Sequence, residues 1–191
     1  MATAAAAAGD GPAQSYAQVK AALWNRDGAR VFAVIDGAVM PQMPDRLETA
    51  PTAGWDSLRR GALTPEVAQR SAYVAELQRE SAFTDFVLKD AAKTFPGWGL
   101  LLVSQRSLLE VRNHCRALVE VLTPDGEIRH WRWYDPEVLS AVLPTMAPTQ
   151  QDLLFSQMNE LVLVDQRQWT WLWMERGVLT RLSRRLLAEA A

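Results

Sequence analysis

The chain has 191 residues, 49% of them hydrophobic, and a formal net charge of −2. That length and apolar share suffice for one domain with a real core, alone or with a small appendage. The charge argues against a general nucleic-acid binder, because neutralising phosphates requires a clustered excess of Lys and Arg.

The single cysteine excludes an internal disulfide framework and agrees with a reducing cytoplasm. Met1 to Ala8 has no basic n-region and no Leu/Val-type h-region, so it does not read as a secretory leader. No stretch is long and apolar enough to span a bilayer, and no membrane partner is expected. Residues 1–12 are rich in Ala and Gly and read as a disordered tail.

Ala13 to Arg26 reads as a helix with Tyr16, Val19, Leu23 and Trp24 on its buried side, stopped by Asp27-Gly28. Val31 to Ile35 is a continuous β-rich run, expected to be a strand buried on both faces and closed by Asp36-Gly37. Met40 to Gly61 carries three prolines and no clear period, so it reads as a long surface loop with one helical turn around Trp55. Ala72 to Leu77 is a strand. Ser81 to Lys93 is a helix ended by Phe95-Pro96-Gly97, and Leu100 to Val103 is a second fully buried strand. Ser107 and Glu110 have capping-box spacing, so Ser107 should start the next helix.

Val119 to Leu122 and Glu127 to Tyr134 flank Thr123-Pro124-Asp125-Gly126, which has the chemistry of a β-turn; together they predict a hairpin. Asp135 should cap a helix over Pro136 to Met146, followed by a short helix over Gln150 to Met158. Leu161 to Val164 and Trp169 to Met174 read as a last pair of strands. Val178 to Ala190 reads as an amphipathic helix carrying Leu179, Leu182 and Leu186. The expected fold is therefore α/β with α+β character: a mixed sheet with covering helices, one hairpin and a small C-terminal strand and helix appendage. The expected division is a tail at 1–12, a core domain at 13–158 and an extension at 159–191.

The chain has no Walker-type loop, no Gly-x-Ser-x-Gly elbow and no His-Glu-x-x-His. His114-Cys115 are helix neighbours pointing about 100° apart, a poor chelate, so no metal is expected. Asp36-Gly37 reads first as a strand-ending turn, and Asp135-Pro136-Glu137 as a helix start. Each also offers a carboxylate, so a small enzyme pairing Asp36 with Asp135 stays open. In the expected strand Arg129, Trp131 and Trp133 take one face and His130, Arg132 and Tyr134 the other. Arg132 has natural partners in Asp36 and Asp135. Trp169, Trp171 and Trp173 share one strand face, which suits core packing better than an exposed binding ridge.

Four segments, in this order, resemble a known family. They are Val31 to Ala38 with its Asp36-Gly37 turn, Phe95 to Ser104 with Trp98-Gly99, Leu108 to Leu122, and Arg132-Trp133-Tyr134-Asp135-Pro136, which matches a hallmark Arg-aromatic-aromatic-Asp-Pro motif. The chain resembles the effector chaperones, or adaptors, of bacterial type VI secretion, long catalogued as domain of unknown function 4123. Glu137 stands where that family usually has Arg, and Leu154 to Met158 stand where a Phe-Gly-Pro-like stretch is usual.

The resemblance implies a cytoplasmic, non-enzymatic protein that needs no cofactor. Its partners would be one toxic effector, bound through the effector's N-terminal region, and the valine-glycine repeat spike protein. The residues it singles out, as contacts or as scaffold, are Asp36, Gly37, Trp98, Arg132, Trp133, Tyr134, Asp135 and Pro136. An immunity-type protein that neutralises a toxin is the other binding reading.

Overall fold

Sheets covered on both faces need strands that are apolar on both faces, and the chain supplies them at its centre. The computed structural model describes residues 7–8, 12–123 and 125–188. Of the expected tail, residues 1–6 and 9–11 lie outside the described residues, as do Pro124 and residues 189–191.

The strands are β1 (Ala7–Ala8), β2 (Arg30–Asp36), β3 (Gly54–Ser57), β4 (Ala72–Leu77), β5 (Gly99–Ser104), β6 (Glu120–Leu122), β7 (Ile128–His130), β8 (Glu160–Val164), β9 (Gln168–Glu175) and β10 (Val178–Arg185). The main sheet has the order β1-β10-β9-β8-β5-β2-β4-β3, and β6 and β7 form a separate ribbon. All pairs are antiparallel except β1 with β10, which makes the sheet mixed. Ala7 and Ala8 thus lie in a strand, where the sequence suggested disorder.

Helices cover both faces. Val31, Ala33 and Ile35 of β2 join a core with α1 (Tyr16–Ala22), α2 (Met43–Thr49) and the helical stretch built from α4 (Ala82–Asp85), a π-helical turn (Phe86–Ala91) and α5 (Ala92–Thr94). Phe32 and Val34 point the other way, into a core with α6 (Leu108–Leu118), α7 (Pro136–Val142) and α8 (Pro148–Phe155). Ser15 and Ser107 form complete capping boxes with Gln18 and Glu110.

Three further segments differ from the sequence reading. Met40 to Gly61 is not an irregular loop: it holds α2 and β3. Pro44 lies in the first turn of α2, where a missing N–H costs nothing, and Met40, Met43 and Leu47 are buried. Trp55 lies in β3, against Tyr73 at 5.8 Å, and not in a helical turn. After Gly61, α3 (Pro65–Arg70) starts at a Thr64 cap.

The C-terminal helix expected over Val178 to Ala190 is instead β10 over Val178–Arg185. Leu179, Leu182 and Leu186 do fit a helical period. However, Arg176 and Gly177 both take positive φ, 53° and 77°, which turns the chain straight back along β9. Leu179 then packs on one side of the sheet and Leu182 and Leu186 on the other. Because β8 pairs with β5, residues after Met158 continue the same sheet.

The third difference is the hairpin. It forms, and Gly126 N–H donates to Thr123 O at 2.9 Å, but its second strand ends at His130, not Tyr134. Asp135 N–H donates to Arg132 O at 3.0 Å, so the hallmark motif is a turn. The predicted two-face alternation fails there, and the neighbours Trp133 and Tyr134 are both buried.

His114 of α6 is half-buried, and its Nε2–H donates to Leu154 O at 2.9 Å. Burial holds its pKa below the ordinary 6.5, outweighing the opposing effect of that bond. A depressed folded-state value means the unfolded chain takes the proton first. The stability His114 contributes is therefore intact above about pH 6.5 and is lost as pH falls through the folded-state pKa. In thermal melts at pH 7.5 and pH 5 (roughly one unit above and one and a half below the free imidazole value), the wild type should lose more melting temperature than His114→Gln. Equal losses would remove His114 from the pH response.

Candidate functional site

The conspicuous sequence motifs meet at one end of β2. Asp36 is the last residue of that strand and is 3% exposed. Its Oδ1 accepts the Ala38 N–H at 2.9 Å, closing a tight turn, and its own N–H donates to Trp98 O at 2.8 Å. Gly37 N–H donates to Ser71 O at 3.0 Å, and any Cβ at Gly37 would collide with that oxygen. Glycine is required there by close backbone approach. Trp98 itself is buried in the core on the α1 side and reaches the site through its carbonyl.

Arg132 arrives from 96 positions along the chain, and its Nη2 donates to Asp36 Oδ2 at 2.5 Å. The same nitrogen lies 3.4 Å from Asp135 Oδ2. Asp135 uses its other oxygen to cap α7, accepting the Glu137 and Val138 N–H groups at 3.0 and 3.3 Å. Pro136 takes the first helical turn, where it fits without strain. Trp133 and Tyr134 fill the core on the α6 side, edge to face at 6.1 Å. Burial, and then the negative charge of Asp36, push the Tyr134 phenol up to about 12.

The structure therefore brings Asp36, Gly37, the Trp98 carbonyl and Arg132 to Pro136 into one cluster. Two aromatics anchor the turn in the core, and a carboxylate–guanidinium–carboxylate bridge fastens the start of α7 to the end of β2. Asp36 and Asp135 do converge, as a paired-carboxylate enzyme would need. The guanidinium sits between them, so they are bridged and do not face one another across a substrate space.

Elsewhere, Cys115 is fully buried, which pushes its thiol pKa up. Among the described residues no group of three or more His, Cys, Asp or Glu could hold a metal ion, and no helix is long and apolar enough to cross a membrane. Trp169 and Trp171 are buried and Trp173 packs partly against them, as a core stripe should.

The sequence reading missed a second polar assembly. Arg112 and Arg116, one turn apart on α6, both reach Asp56 on β3, at 2.6 and 3.2 Å. Arg116 also donates to Ser57 O and Arg59 O, at 2.6 and 3.2 Å. The i,i+4 spacing of the arginines was legible, but their partner was hidden in what read as a loop.

Comparison with curated proteins returns no match, and comparison with solved structures returns none either. A family model does match, over residues 31–153, from the second residue of β2 into α8. This stretch contains Asp36, Gly37, Trp98 and the whole of Arg132 to Pro136, and it covers well over half of the chain. On that match the chain belongs to the family described as Domain of unknown function (DUF4123).

Proposed function

We propose that this chain is a non-enzymatic cytoplasmic adaptor that binds and stabilises a cognate effector of bacterial type VI secretion and helps load it onto the valine-glycine repeat spike protein. The observation that carries a protein-binding role is the β6–β7 ribbon. Its cross-strand pair Leu122 and Ile128 is 73% and 72% exposed. Two directly opposed apolar side chains on a short ribbon stabilise little by themselves and invite a partner to cover them. The rigid bridge at Arg132 supports this reading by fixing the ground from which the ribbon projects. The ordered motifs supply the type VI part of the proposal. An adaptor that binds a folded, loading-competent effector stabilises it by mass action and needs no nucleotide.

Co-expression with a candidate type VI toxin tests the reading. The toxin should co-purify with the wild type and be retained at least about tenfold less by Leu122→Ser/Ile128→Ser, since burying each side chain contributes about 1.5–3 kcal/mol. A deletion strain with normal effector abundance and secretion would sink the adaptor role. Protection of a naive cell with no secretion defect would instead favour an immunity-type protein.

A further inference from the structure

Beside the hallmark turn lies an open groove of about 900 Å³. It runs between the loop after β3, helix α3, the end of α6 and the base of the β6–β7 ribbon. Leu58, Ala72 and Tyr134 are its buried apolar floor. Four arginines and two glutamates, Glu66 and Glu120, line it. Arg116 is engaged by Asp56, which Arg112 shares. Arg59, Arg60 and Arg70 are exposed and make no ion pair among the described residues. The groove is thus locally basic on a chain whose net charge is −2.

The ribbon continues this groove. Glu120 and His130 line it and pair across the strands, and Leu122 pairs with Ile128 two residues further out. Side chains two apart on a strand share a face, so the exposed apolar pair lies on the same ribbon face as the groove-lining residues. One continuous surface therefore presents unpaired guanidiniums at one end and an uncovered apolar pair at the other.

Resting on the adaptor reading, we infer that this surface holds a peptide segment of the cargo protein, with carboxylates against Arg59, Arg60 and Arg70 and an apolar anchor against Leu122 and Ile128. Carboxylates match the fork geometry of guanidinium groups. The apolar floor and the apolar extension favour a peptide over a nucleic-acid strand, which would call for further cations and aromatic stacking.

The test uses fluorescence anisotropy on the full chain, with a short fluorescein-labelled peptide carrying an Asp/Glu half and a Leu/Ile half. A second peptide with Lys/Arg in place of Asp/Glu is the control. The acidic peptide should bind at least about tenfold tighter than the basic one, and added salt should weaken it. Arg60→Glu/Arg70→Glu should abolish the preference, while circular dichroism and melting temperature stay as in the wild type. Leu122→Ser/Ile128→Ser should weaken binding of both peptides.

Equal binding of the two peptides, absence of binding, or tighter binding of an oligothymidylate overturns the inference. If the wild type and Arg60→Glu/Arg70→Glu hold the co-expressed toxin equally, the groove assignment fails and the adaptor reading stands. If the acidic peptide binds as expected but the wild type never holds the toxin, the groove chemistry is supported and the adaptor reading fails.

Discussion

Trp133→Ala is expected to cost about 3–5 kcal/mol of unfolding free energy, the range for deleting a fully buried large aromatic. Trp133 is 0% exposed and belongs to the core formed by α6, α7 and the sheet. A domain of this kind has only about 5–15 kcal/mol in total, so the variant should be recovered mostly insoluble or melt far below the wild type. Trp131, one residue before Arg132 and only partly buried, provides the comparison. Chemical denaturation of Trp131→Ala should show a clearly smaller loss. Similar losses for the two would mean that the turn is not anchored through Trp133.

Arg132→Ala is expected to cost about 2 kcal/mol, below the range for a fully buried ion pair because solvent screens the partly exposed guanidinium. The asymmetry between the partners sets this value. The Asp36 side chain is 4% exposed and that of Arg132 is 44% exposed, so the variant strands a buried carboxylate while little cavity forms. Asp36 keeps its Ala38 N–H bond, which also limits the loss. Adding Asp36→Asn to Arg132→Ala removes the stranded charge, so the double variant should be more stable than Arg132→Ala alone. A double-mutant cycle by urea denaturation measures this. Strict additivity, with a coupling under about 0.5 kcal/mol, would show that the bridge contributes nothing. With the bridge cut, α7 loses its tie to β2, and soluble yield should fall, together with effector holding if the proposed adaptor role holds.

Both predictions test the hallmark motif as scaffold. Asp135-Pro136 reads correctly as a helix start from sequence, because capping is local: the acceptor and its N–H donors lie within three residues. The burial of both Trp133 and Tyr134 could not be read from strand alternation, because the strand ends at His130 and a turn obeys no period of two. That end is decided by what the aromatics reach, which is the core under α6 and α7.

The sequence by itself determined the local and doubly buried features of this protein. The runs at β2 and β5 are apolar throughout because helices cover both sides of the sheet. The caps at Ser107 and Asp135 and the hairpin turn follow from side chains that bond to their own neighbourhood. Tertiary structure alone decided the rest. The Val178 to Arg185 stretch is a strand because β9 offers it a full antiparallel partner, which outweighs a helical leucine period. Arg132 meets Asp36, and arginines of α6 meet Asp56, across separations that no sequence window spans. The basic groove exists only because α3, the end of α6 and the ribbon base are packed around the end of the sheet.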